Sequence, residues 1–286
     1  MTDELEALKD WIGKSDTAEE RAGAFRMQGL AALLDKKAVP QEGDPVNPMG
    51  HWCYFTPRVP ATEIGTDGHP ARGGFMPPVP LPRRMFGGFR ATHYRPLIIG
   101  EMVQREARIT DVQIKQGSTG TLVICTVRNS FRGENGIAIE EDHDYIYRDN
   151  PSTNANDSSG GSGKTPAAPN DHAWSKKITP DPVMLFRYSA VTFNGHRIHY
   201  DRKYVTEVEG YPALIVHGPL IATLLLELAL DNNPGRTVHK FDFQARAPLF
   251  DDAPFTVAGK PTEDGCSLWS TTPAGTYSAR ATTVFA

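Results

Sequence analysis

Hydrophobic and polar positions fall into two similar series separated by a polar gap. In the first, apolar residues recur near helical spacing behind an Asp16/Thr17 cap, which predicts a helix over 17–34. A Gly/Pro-rich stretch covers 40–82. Alternating runs rich in Val, Ile and Thr then predict strands at 89–94, 101–113, 121–132 and 137–147. The turn sequences GSTG and GENG make the last three an antiparallel meander. The second series predicts a helix over 182–192, a turn-rich segment, and an apolar helix over 219–230 stopped by DNNPG. Strands are predicted at 238–245, 254–262, 267–272 and 276–285. Helical segments followed by antiparallel strands, twice over, define an α+β chain.

The gap at 150–170, NPSTNANDSSGGSGKTPAAPN, has linker composition and no hydrophobic period. It divides the chain into an N-terminal domain, 1–149, a linker, 150–176, and a C-terminal domain, 177–286. The flanking parts read as diverged copies. One offset carries Phe89 to Phe241, Pro96 to Pro248 and Leu97 to Leu249. Upstream, Phe25-Arg26 resembles Phe186-Arg187, in the same order relative to the strands.

Composition narrows the function classes. With 286 residues, 39% of them hydrophobic, the chain has material for a substantial core, which excludes wholesale disorder. Thirty Lys and Arg against 34 Asp and Glu give a net charge of −4, which argues against nucleic acid or an anionic membrane as the main partner. No apolar run approaches the roughly 18 residues of a membrane span. The acidic N-terminal MTDELEALKDWIGKSD has no signal-peptide core. Cys53, Cys125 and Cys266 are odd in number, far apart and without CxxC spacing, so they signal neither a disulfide framework nor a zinc site. A cytoplasmic setting is expected.

Candidate chemistry concentrates in FRYSAVTFNGHRIHYD, from Phe186, and IVHGPL, from Ile215. His196 and His199 lie three apart, but no HExxH motif and no nearby cysteine accompanies them, so no metal site is expected. No GxSxG elbow surrounds Ser189, which reads as a packing residue. Acid–base chemistry fits better. Histidine can take and give a proton at neutral pH. Gly218 stands where a turn becomes a helix, and the first N–H groups of a helix lack intrahelical acceptors. Such donors stabilise an oxyanion, and glycine permits close approach of a ligand.

These segments resemble the MaoC-like, R-specific (type 2) enoyl-CoA hydratase family. Within it they are similar to a two-domain subfamily of 3-hydroxyacyl-thioester dehydratases and mesaconyl-C4-CoA or itaconyl-CoA hydratases. HWCYFTP, DGHPARGGFMPPVPLPRRMFGG and RPLIIGE resemble that subfamily's degenerate N-terminal domain, so the likeness covers most of the chain. It implies a double hot-dog fold, with each antiparallel sheet wrapped around a central helix. It also implies reversible hydration of a 2-enoyl-CoA thioester. The family's catalytic histidine falls on His199 and its oxyanion glycine on Gly218. Its usual aspartate falls on Asn194, a departure that leaves His199 as the main proton carrier. His196, Arg197, His217, Arg246 and Arg84 are candidates for substrate binding, the arginines because guanidinium reads carboxylates. Asp201 reads as a turn cap. No cofactor is implied beyond the coenzyme A carried by the substrate, and hot-dog sheets commonly pair, so a homodimer is expected. The acyl group is expected to be short, branched and dicarboxylic, as in mesaconyl-C4-CoA or itaconyl-CoA going to citramalyl-CoA. The alternatives are a dehydratase of fatty-acid 3-hydroxyacyl thioesters and a non-catalytic acyl-CoA-binding subunit.

Overall fold

The computed structural model describes residues 2–117, 120–149 and 166–286. Its N-terminal half contains a short helix α1 (Thr2–Glu6), strand β1 (Ser15–Arg21), helix α2 (Ala24–Leu33) and strands β2 (Arg83–His93), β3 (Met102–Gly117), β4 (Gly120–Gly133) and β5 (Gly136–Arg148). The C-terminal half contains β6 (Trp174–Ile178), helices α3 (Pro182–Thr192), α4 (Arg202–Glu207) and α5 (Gly218–Asp231), and strands β7 (Val238–Ala245), β8 (Phe255–Pro261), β9 (Gly265–Thr271) and β10 (Tyr277–Phe285).

The strands form one ten-stranded sheet in the order β1-β3-β4-β5-β2-β7-β10-β9-β8-β6. Every neighbouring pair is antiparallel. The order reads the same from both edges once β2 is matched with β7. At their junction Phe89 faces Phe243, Ala91 faces Phe241, and Arg90 faces Asp242. The offset that carries Phe89 to Phe241 also carries Arg90 to Asp242. A pseudo-twofold axis therefore passes through that pair, and the two halves meet as a hot-dog dimer would. Phe89 and Phe241 are fully buried there, with ring centroids 5.5 Å apart.

Helix α5 explains its own sequence. Residues 220 to 229 are all buried, so an apolar stripe would not suffice and the helix is hydrophobic all round. It packs against β7, β8, β9 and β10. Its one buried acid, Glu227, accepts from Asn47 Nδ2 at 2.7 Å and pairs with Lys36, so the inner helix of one half is tied to the other half. Among the described residues the N-terminal half has no helix as long as α5; its long loop between α2 and β2 carries only the short 3₁₀ turns Gly50–Cys53 and Ala61–Glu63. One core cluster runs through both halves, and a second lies under β3 and β4.

Two expectations need correction. The helix predicted over 17–34 is strand β1 followed by α2, because residues 15–21 pair with β3 along the sheet edge. The predicted linker, 150–176, lies outside the described residues over 150–165. Beyond that, Ala167 bridges to Thr276 and β6 begins at Trp174, pairing with β8, so the end of that segment belongs to the sheet.

Candidate active site

The junction holds a solvent-open cavity of about 1640 Å³ lined from both halves. On the C-terminal side the chain leaves α3 through Phe193, in left-handed conformation, and turns through Asn194 and Gly195 into a 3₁₀ turn, Arg197–His199. Asn194 Oδ1 accepts from the His196 N–H at 3.0 Å, which sets the turn. Asp201 Oδ1 accepts from the Tyr204 N–H and caps α4.

His199 is 7% exposed and faces the cavity. Its Nδ1 lies 2.7 Å from the Ile215 carbonyl oxygen, an acceptor only, so Nδ1 carries the hydrogen and Nε2 keeps a free lone pair. Burial, reinforced by neighbouring His196, pushes its pKa down to about 3, although the Ile215 bond opposes the shift. The ring is therefore neutral and basic at physiological pH. His217 stacks on it, with centroids 3.6 Å apart and planes 19° apart. His217 is fully buried and held at 2.8 Å from the Ser189 hydroxyl, and burial keeps it well below the ordinary histidine range. Gly218, the first residue of α5, lines the cavity with the helix start behind it. A Cβ there would lie 2.9 Å from the Phe86 ring, so glycine is what allows this N–H and the aromatic wall to share the space.

The N-terminal half completes the site. The loop around Gly68 reaches across and docks on the NGHR turn, with the Asp67 carbonyl accepting from the Arg197 N–H at 2.9 Å and the Thr66 carbonyl accepting from Arg197 Nη1. Gly68 has φ +88° and touches Gly195 so closely that a Cβ would lie 1.9 Å from its carbonyl oxygen. This contact delivers His69 against His196, ring centroids 4.4 Å apart. Burial first, then the charge of Arg84, lowers both imidazoles, His196 to about 3. Further along the N-terminal wall, buried Glu141 lies 2.9 Å from His51 Nε2, 3.0 Å from His143 Nε2 and 3.0 Å from Trp52 Nε1. Burial alone would raise its pKa; the imidazoles of His143 and His51 overcome that and hold it well below the carboxylate range.

Of the residues singled out from sequence, Asn194, His196, His199, Gly218, Arg84 and Arg246 line the cavity. His217 and Arg197 do not. His217 sits behind His199 and positions it. Arg197 is engaged by Asp201 at 2.7 Å and lies over Tyr204, so it braces the turn. Ser189 bonds His217 as well as packing. His69, His51, Glu141 and His143 were not anticipated; only the DGHP turn around Gly68 carried a signal. Among the described residues no group of three or more His, Cys, Asp or Glu is placed to hold a metal ion. No helix among them is long and apolar enough to cross a membrane.

Comparison with known proteins agrees with this architecture. A MaoC-like dehydratase from Phytophthora capsici superposes with TM-score 0.69 at 13% identity, covering 99% of this chain and 97% of that one. A Mycobacterium tuberculosis protein described as a double hotdog fold superposes with TM-score 0.56 at 11% identity, with 96% of each chain covered. In sequence, mesaconyl-C(4)-CoA hydratase of Chloroflexus aurantiacus is 41% identical over 275 residues, 95% of each chain. Mitochondrial hydroxyacyl-thioester dehydratase type 2 of Schizosaccharomyces pombe is 27% identical over 254 residues, 78% of this chain and 80% of that one. The molecule is thus a double hot-dog hydro-lyase. The chain belongs to the type 2 hydroxyacyl-thioester dehydratase family, whose model matches residues 49–251.

Proposed function

We propose that this enzyme reversibly hydrates a 2-enoyl-CoA thioester, and that its acyl group is short, branched and dicarboxylic, as in mesaconyl-C4-CoA. The observation that carries the reaction is His199: a neutral imidazole, its one hydrogen committed to Ile215, with Nε2 free in a cavity that also holds the start of α5. The 41% identity to a mesaconyl-C(4)-CoA hydratase over nearly the whole chain supports the substrate.

The steps follow from the donors present. Asn194 spends its carbonyl oxygen on His196, so its amide Nδ2 is left to donate to a water. His199 Nε2 accepts a proton from that water as its oxygen adds to the β-carbon. Electrons move through the double bond onto the thioester oxygen, where the Gly218 N–H and the positive end of α5 stabilise the enolate. The imidazolium then returns its proton to the α-carbon. One base serves both transfers, which suits a site with Asn where a second acid would stand. His217, His69 and His196 position the base and keep its surroundings neutral. Arg246, bonded to Gln244 on the cavity wall, remains a candidate for substrate contact.

The test is a panel of C4 to C10 enoyl thioesters, with and without a carboxylate on the β-carbon. Preference for mesaconyl-C4-CoA supports the reading. Rising turnover with chain length favours the dehydratase of fatty-acid thioesters instead, and binding without turnover favours a non-catalytic acyl-CoA-binding subunit. The same reading includes a homodimer, measurable by light scattering, and a cytoplasmic setting, which three free buried cysteines suit.

A further inference from the structure

We infer that Arg84 is the residue that reads the free carboxylate of the substrate, an inference that rests on the dicarboxylic reading above. Six arginines line the cavity. Arg58 pairs with Glu20, Arg105 with Asp16 and Arg83 with Glu209. Arg72 donates to three backbone carbonyls, and Arg246 to Gln244. The Arg84 side chain makes no hydrogen bond or ion pair with any described residue. Its guanidinium lies over the Tyr145 ring, 5.0 Å from the centroid, a contact that fixes its place and leaves its donors open.

A half-buried guanidinium without an acceptor is an unfinished interaction, and a carboxylate completes it with a bidentate pair. Position agrees with the chemistry. In a mesaconyl-C4 thioester the free carboxylate is carried on the β-carbon, the atom that receives the hydroxyl. The group that reads it must therefore stand close to the base. The charge of Arg84 bears directly on His196 and His69, and His196 meets His199 edge-on with ring centroids 5.4 Å apart. The surroundings do not repel a second anion. Glu141, on the same strand as Tyr145, is already compensated. His51 faces acceptors with both ring nitrogens, Glu141 at 2.9 Å and the Pro48 carbonyl at 3.0 Å. Asn129 and Trp52 donate to Glu141 as well. His143, 8% exposed, lines the cavity beside Tyr145, ring centroids 6.1 Å apart, with its Nε2 3.0 Å from Glu141. The N-terminal domain thus supplies specificity and the C-terminal domain supplies proton transfer.

The experiment compares kcat/KM for mesaconyl-C4-CoA and crotonyl-CoA in the full-length wild type, Arg84→Gln and Arg84→Lys. Folding of each variant is checked by circular dichroism and thermal melting. The expected result is a fall of about 100-fold in the preference for mesaconyl-C4-CoA in Arg84→Gln, mostly through KM, with partial recovery in Arg84→Lys. Wild-type preference retained in Arg84→Gln overturns the role of Arg84 and leaves the substrate reading standing. A wild type without preference for the dicarboxylic thioester overturns both. If Arg84→Gln does not fold, Arg84→Lys decides: a preference unchanged in both KM and kcat despite the lost bidentate geometry overturns the role.

Discussion

The Nδ1–H of His199 donates to the carbonyl oxygen of Ile215, 2.7 Å away, and so commits the imidazole to a single tautomer. The bond places the basic nitrogen in the cavity and leaves the neighbouring backbone satisfied. Substituting His199 by Ala or Gln is expected to lower kcat by about 100- to 10,000-fold with a 2-enoyl-CoA. Turnover within threefold of wild type would remove His199 from the mechanism.

Asn194 divides its amide between the backbone and the reaction. Asn194→Asp keeps an acceptor for the His196 N–H and is expected to stay within about tenfold of wild type, whereas Asn194→Ala loses both functions and falls further. Steady-state kinetics of the pair tests this ordering, and equal activities contradict it.

The buried histidines predict two pH profiles with different origins. His199 sits near pKa 3, so the base stays neutral and kcat/KM is expected to be flat from pH 5 to 8 instead of falling through 6.5. Stability behaves otherwise. His93, His196 and His199 are held near 3 while the unfolded chain titrates near about 6.5. The unfolded state therefore binds more protons between those values, and stability declines as pH falls from about 6.5 toward 3, by up to about 1.4 kcal/mol per pH unit for each histidine. Thermal melts across pH 4 to 8 measure it; a melting temperature independent of pH below 6.5 refutes the protonation states assigned.

Gly68→Ala is expected to reduce activity by disturbing a site in the other domain. The left-handed φ costs a side chain about 1–2 kcal/mol, and the Cβ would overlap the Gly195 carbonyl oxygen. The loop must withdraw, taking His69 with it. Lower kcat with a modest loss of melting temperature is the expected signature, and wild-type kinetics would show that the docked loop is dispensable.

Gly218→Ala drives a methyl against Phe86 Cδ1 and is expected to lower kcat by about 10- to 1,000-fold. Combining it with Phe86→Leu relieves the clash. Partial recovery in the double variant is the measurement that separates crowding from damage to the helix start.

Much of this was legible because it depends on local pattern. The strands of the meander alternate clearly, α3 begins with Asp181 as cap and Pro182, and α5 is apolar throughout. The edge strands β1 and β6 were missed for one shared reason. SDTAEER and WSKKI bury little, and backbone ladder bonds to β3 and β8 hold them, which leaves no hydrophobic period to read. The catalytic turn was legible from NGHRIHYD. The inserted loop was not, since the contact between Gly68 and Gly195 joins positions far apart in sequence. Nor could the spacing of His217 show that it stacks behind His199 and does not face substrate.

The unequal furnishing of the two halves also sets a stoichiometry and a direction for change. A symmetric pair of hot-dog units would carry two equivalent reactive centres; here one half has the 14-residue inner helix α5 and the other, among the described residues, only shorter helices and 3₁₀ turns. A slowly turned-over acyl-thioester analogue should therefore saturate at one molecule per chain. Because the residues that read the acyl group and those that move the proton lie on separate duplicated units, selection can retune which thioester is accepted by altering one unit while the reaction itself stays intact in the other.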